Sequence, residues 1–157
     1  MTKQEMFMAR AIELSKVGME NGAGGPFGCV IVKGGVIVAE GHNEVLMNND
    51  PTAHAEMVAI RRAYKQLNHF QLTDCEVYTS CEPCPMCLGA LYWARPKAIY
   101  FANTKADAAS IGFDDQFIYE ELEIIPSQRK MLMLHLPMRN AFEPFQIWKE
   151  KQDKKAY

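Results

Sequence analysis

No run among the 157 residues is apolar over a length that could span a bilayer, and Met1-Thr2-Lys3-Gln4-Glu5 mixes charged side chains into the first apolar ones with no cleavable hydrophobic core. A membrane or exported protein is therefore not expected; a cytoplasmic one is. Excess charge is also lacking. A formal net charge of −2 offers polyanions no general attraction, so small substrates are favoured and nucleic acid is not expected as a partner. The basic runs Arg61-Arg62-Ala63-Tyr64-Lys65 and Lys149 to Lys155 are read as solvated helix faces. No linker or repeat divides the chain, and 48% hydrophobic content can bury one substantial core, so a single domain over residues 1–157 is expected. Five cysteines, an odd count without an export signal, exclude a complete disulfide framework and favour reduced thiols and a metal. Cys29 and Cys75 read as buried core residues.

What is present is concentrated in two stretches, Pro51-Thr52-Ala53-His54-Ala55-Glu56 and Glu82-Pro83-Cys84-Pro85-Met86-Cys87. With Glu82 as a helix cap and Pro83 at the first position, Cys84 and Cys87 share one helix face. The partial positive charge of a helix N-terminus lowers thiol pKa and favours the thiolates a metal needs. His54 adds an imidazole, and two thiolates with one imidazole suit zinc while leaving a fourth tetrahedral position open. An open position means catalysis rather than a structural staple, because water there has its pKa drawn from ~16 toward ~7. Glu56 is the nearby proton carrier. Residues two apart on a regular helix point to roughly opposite sides, so His54 is expected in a first turn capped by Thr52.

Blander readings stand beside this one. His-x-Glu can be ordinary polar residues in a first turn, and Cys-x-x-Cys can be core thiols. A run of Cys81, Cys84 and Cys87 could hold an iron–sulfur cluster, although it lacks the usual fourth ligand and leaves His54 and Glu56 idle. The joint pattern, with Pro before the first ligand cysteine and 27 residues between Glu56 and Cys84, favours zinc.

Around these motifs, Thr2 and Glu5 form a capping-box pattern for a helix over residues 2 to about 20, carrying Phe7, Ala11, Ile12 and Leu14. Phe27 to Val32 and Val36 to Ala39 read as strands of a hairpin around Lys33-Gly34-Gly35. The helix carrying Glu56 runs on through Val58, Ile60, Ala63, Tyr64 and Leu67. Cys75 to Thr79 is a strand, Leu88, Leu91 and Trp93 pack inward from the cysteine helix, and Ile99 to Ala102 is another strand. Asp107 to Ile111 is a short helix stopped by Gly112, and Asp114 can cap a helix from Asp115 to Glu123. Met131 to Leu136 is apolar enough for a strand buried on both faces, and Pro144 opens a last helix carrying Phe145, Ile147 and Trp148. Alternating strands and helices imply an α/β fold with a mixed sheet covered on both faces.

At the metal motifs the chain resembles the cytidine deaminase superfamily, whose zinc signature is His-x-Glu followed by Pro-Cys-x-x-Cys. Pro26-Phe27-Gly28, Asn43, Asp50 to Glu56 and Glu82 to Cys87 look like its purine and tRNA-adenosine branch. Gly112-Phe113-Asp114-Asp115-x-Phe117-Ile118-Tyr119 and Tyr157 look like the small bacterial guanine deaminases. The resemblance implies a three-layer α/β/α sandwich, one Zn2+ per subunit on His54, Cys84 and Cys87, and hydrolysis of guanine to xanthine and ammonia with Glu56 moving the protons. It makes Asn43 and Asp115 substrate contacts, with Asp114 left as the cap. Phe27, Trp93, Phe113 and Tyr157 are candidate walls of a flat slot for the base. It also implies a homodimer in which residues 137–157 are exchanged about a Leu136–Asn140 hinge. Alternatives are a deaminase of tRNA adenosine, cytosine or a nucleoside, and a non-catalytic zinc-stabilised interaction domain, against which the intact Glu56 argues.

Overall fold

A computed structural model describes residues 1–157. The chain forms two compact units, Met1–Asp115 and Gln116–Tyr157. The first opens with α1 (Lys3–Glu20), whose start is the expected reciprocal cap: Thr2 Oγ1 accepts from the Glu5 N–H at 3.2 Å, and the Glu5 carboxylate accepts from the Thr2 N–H at 2.6 Å. Strands β1 (Gly28–Lys33) and β2 (Val36–His42) follow, joined by Gly34 and Gly35 at φ 59° and 79°, the positive-φ pair that a two-residue hairpin turn requires. The short helix α2 (Val45–Asn48), then α3 (Ala55–Leu67), β3 (Cys75–Cys81), α4 (Pro85–Ala94), β4 (Ala98–Asn103) and α5 (Lys105–Ser110) complete the unit.

The four strands lie in the order β2-β1-β3-β4, antiparallel except for the parallel β3–β4 pair. The mixed α/β sheet expected from the sequence is therefore present. Side-chain alternation along β1 sorts the core. Val30 and Val32 join Leu14, Phe7 and Met8 of α1 on one face, with Tyr78 of β3. Cys29 and Ile31 join Ala55, Ala59, Ile60 and Ala63 of α3, Leu91 of α4 and Val77 of β3 on the other. Ile12, expected to belong to the apolar stripe of α1, is 47% exposed.

Helices α1 and α3 each ride close to the sheet at a glycine. A Cβ at Gly28 would stand 2.1 Å from the Ala11 carbonyl oxygen, and one at Gly41 would stand 2.6 Å from that of Ala55. These contacts are to backbone, which cannot rotate away.

In the second unit, α6 (Gln116–Glu123) starts one residue later than expected, and a 3-10 turn (Pro126–Gln128) and α7 (Glu143–Glu150) follow. Phe142 caps α7 ahead of Pro144. The basic run Lys149 to Lys155, read as a helix face, lies mostly beyond the end of α7. The strand expected over Met131 to Leu136 does not form, and Leu132, Leu134 and Leu136 are 75%, 77% and 80% exposed. Apolarity supplies the side chains of a buried strand but no partner for its N–H and C=O groups, and none of the four strands pairs with this run.

Gly28→Ala should lower stability by about 1–3 kcal/mol, roughly 2–12 °C in Tm, because the α1 backbone must be displaced. A Cβ at Gly89, in the middle of α4, meets nothing within 4 Å, so Gly89→Ala should be neutral or stabilising in the same melting experiment.

Candidate metal centre and catalytic site

Two helix N-termini build the centre. Helix α3 begins at Ala55 with His54 as its N-cap, and α4 begins at Pro85 with Cys84 as its N-cap. Both caps have extended backbone, φ −66° and ψ 157° at His54, φ −65° and ψ 167° at Cys84, and neither side chain makes a capping hydrogen bond. This corrects three expectations. Thr52 is not the cap of α3, because its N–H and hydroxyl both bond Asp50 Oδ1, at 2.8 and 2.7 Å, closing a turn before the helix. Glu82 is not the cap of α4 and Pro83 is not its first residue; Pro85 takes that position. Glu82 instead accepts from the Lys105 N–H at 2.9 Å. Outside the regular helix, His54 escapes the phase restriction that would turn it away from Glu56.

The donor atoms converge. His54 Nδ1 lies 3.4 Å from Cys84 Sγ and 3.6 Å from Cys87 Sγ, and the three donors fall within 4.8 Å of one another. Zinc bound tetrahedrally at about 2.3 Å from sulfur and 2.0–2.1 Å from nitrogen requires a sulfur–nitrogen separation of about 3.5 Å, so the spacing fits that ion. Hydrogen bonding from Cys87, aided by His54, holds Cys84 down at about 4, while Cys87 and His54 are raised by the same neighbouring thiolate. Cys81 is differently placed: its Sγ faces the Thr104 carbonyl oxygen at 3.6 Å, and burial pushes it up to about 11. The three cysteines of an iron–sulfur run therefore do not converge.

Glu56, in the first turn of α3, is buried at 6% exposure. Burial raises its pKa, opposed by its own backbone N–H and by hydrogen bonds from Thr79 and Cys87. The Thr79 hydroxyl donates to Glu56 Oε1 at 2.9 Å. Sequence reasoning passed over Thr79, whose one signal is a hydroxyl at a core position of β3, in phase with Val77 and paired with Cys29.

Asn43, 5% exposed, is held by its N–H to the Phe27 carbonyl oxygen at 3.0 Å and by its Oδ1, which accepts from the Val45 N–H at 3.1 Å. Its loop is anchored by buried Glu44, also unforeseen, which takes Arg62 Nη2 at 2.6 Å and Asn48 Nδ2 at 3.0 Å. Phe27 and Phe113 meet edge to face, centroids 4.9 Å apart at 90°. Asp115 is half-buried and within electrostatic reach of Cys84, whose charge adds to burial in raising its pKa. Trp93, expected to pack inward and to wall the slot, is 64% exposed. The buried stripe of α4 is Cys87, Leu91 and Ala94, and Trp93 falls off that phase. Tyr157 belongs to the second unit and is 68% exposed.

A mixed sheet carrying His54, two cysteines and a buried carboxylate at the mouths of two helices defines a zinc-binding deaminase centre. Residues 1–103 match the cytidine and deoxycytidylate deaminase zinc-binding region, and the chain belongs to this family. It is 53% identical over 153 residues to guanine deaminase of Bacillus subtilis (strain 168), with 98% of each chain covered. The X-ray structure of guanine deaminase from Bacillus subtilis superposes with a TM-score of 0.95 over 98% of both chains. Guanine deaminase from Nitrosomonas europaea is more distant, with a TM-score of 0.66 at 32% identity over 69% of this chain and 63% of that one. The tRNA-specific adenosine deaminase of Aquifex aeolicus (strain VF5) is 42% identical over 99 residues, 63% of this chain and 65% of the relative.

Elemental analysis should find one zinc per chain, undiminished in Cys81→Ala and Glu56→Ala and lost in Cys84→Ala and Cys87→Ala. Zinc loss from Cys81→Ala would contradict the assigned ligand set.

Proposed function

We propose that this protein hydrolyses guanine to xanthine and ammonia. The observation that carries the proposal is the extent of likeness: similarity to guanine deaminase runs through 98% of both chains, whereas similarity to the tRNA-specific adenosine deaminase spans 63% of this chain. His54, Cys84 and Cys87 hold the metal. Bound zinc supplies Lewis-acid activation of water at neutral pH. Glu56 takes the two protons of the water in turn, passing the first to the ring nitrogen beside the reacting carbon and the second to the departing amine, so one carboxylate serves every transfer. Asp115 accepts from the N–H groups beside the reacting carbon, which adenine does not offer. Asn43 has its Oδ1 occupied by Val45 and addresses a purine acceptor through Nδ2. Phe27 and Phe113 wall the base.

A tRNA substrate is the second reading, favoured by the 42% identity to the tRNA-specific enzyme and opposed by a net charge of −2. Ammonia release from guanine, adenine, cytosine, nucleosides and a tRNA stem-loop separates the two. Guanine should be preferred, and Asp115→Asn should lower kcat/KM for guanine at least ~10-fold through loss of charge-assisted hydrogen bonds. Full activity of Asp115→Asn would reduce that residue to a structural role.

The protein further reads as a homodimer that exchanges residues 137–157 about the Leu136–Asn140 hinge, with Tyr157 closing the neighbour's site. Exposure of Phe145, Ile147 and Trp148, at 69%, 61% and 47%, supports a partner that covers them. No helix is long and apolar enough to cross a membrane, and all five cysteines are free, in keeping with a cytoplasmic enzyme of purine metabolism. Mixed dimers of a Glu56→Ala chain and a chain lacking Ala156 and Tyr157 should recover activity at one site. Verified mixed dimers without recovery would restrict Tyr157 to its own chain.

A further inference from the structure

We propose that Thr79 is a positioning residue for Glu56: its hydroxyl pins Oε1, leaving Oε2 as the oxygen that carries the proton. The inference rests on the deaminase reading above and adds to it a residue and an atom.

Thr79 lies on β3 at 1% exposure, on the sheet face whose other members, Val77, Cys29 and Ile31, form the apolar core beneath α3. A hydroxyl buried among them is costly unless it is bonded, and its bond is to Glu56 Oε1 at 2.9 Å. The two residues are 23 apart in sequence and belong to different elements, so the bond ties the carboxylate to the sheet rather than to its own helix. Glu56 is the one acid on the buried side of α3, and no second side chain of the sheet bonds it.

A group that loads and unloads a proton must keep its geometry in both states. The Thr79 hydroxyl allows this on one condition. An ionised carboxylate accepts at either oxygen, while a protonated one keeps only its carbonyl oxygen as a good acceptor. A bond donated to Oε1 therefore survives both states when the proton resides on Oε2. Without it the carboxyl group loses its tie to the sheet and keeps only its own backbone N–H and Cys87 of α4 as partners, so the choice of oxygen that receives the proton is less fixed. Loss of the hydroxyl should then appear in the proton-transfer steps and not in substrate binding, a change in kcat at constant KM.

The test compares zinc-loaded Thr79→Ser and Thr79→Ala, which share the lost methyl group and differ in the hydroxyl. Thr79→Ser should stay within ~3-fold of the parent kcat on guanine, while Thr79→Ala should fall ~10- to 100-fold with KM and zinc content unchanged. If Thr79→Ala does not fold, Thr79→Val, which keeps the volume without the hydroxyl, takes its place. A second readout is independent of turnover. The Glu56 carboxyl band, isolated by infrared difference between each protein and its Glu56→Gln counterpart, should shift on Thr79→Ala and hold on Thr79→Ser. Equal kcat for the Ser and Ala variants, or an unmoved carboxyl band, overturns the proposal. Should the parent release no ammonia from guanine while the band still shifts, the substrate assignment falls and the tether stands.

Discussion

Everything in the first unit depends on two helix N-termini meeting at one point. Helices α3 and α4 lie on the same face of the sheet and deliver His54, Cys84 and Cys87 from their caps and first turns. A cap residue ordinarily turns its side chain back to satisfy the helix's free N–H groups. Here two caps forgo that bond and offer their donors to a metal instead. The loss is limited, because the positive ends of both helices favour the thiolates and, at α3, the Glu56 carboxylate. Proline at the first position of α4 removes an N–H that would otherwise need a partner.

The sheet makes that meeting possible by letting backbone approach backbone. Gly28 admits α1 on one face and Gly41 admits α3 on the other. With α3 pressed against β1 and β2, Glu56 is buried against β3, where Thr79 answers it from the one polar position in an otherwise apolar row. The carboxylate is thus both desolvated and held. Desolvation alone would favour the neutral acid, while the hydrogen bonds from Thr79, Cys87 and its own backbone restore stability to the anion.

The second unit has a different physical character. Its helices α6 and α7 are short, its apolar residues from Met131 to Trp148 are largely exposed, and no strand forms over a segment rich in leucine and methionine. The likeness to guanine deaminase of Bacillus subtilis through 98% of the chain includes this unit, whereas the similarity to the tRNA-specific adenosine deaminase of Aquifex aeolicus spans 63%.

The amino-acid sequence by itself pointed to the chemistry: His54, Cys84 and Cys87 are candidate donors, and Glu56 a candidate proton carrier, by residue type and spacing, and the fold brings the three donor atoms within 4.8 Å of one another. It also determined the local features whose partners are close in the chain, the Thr2–Glu5 cap, the Gly34-Gly35 turn and the periodic apolar faces of α1 and α3. Features that depend on distant neighbours were decided by the tertiary structure. Trp93 could face in or out, and the packing of Cys87, Leu91 and Ala94 against the sheet turns it out. Met131 to Leu136 has the side chains of a strand without a strand beside it. Thr79 bonds a residue 23 positions away across two elements, a relation that no local pattern encodes because it arises where a sheet and a helix touch.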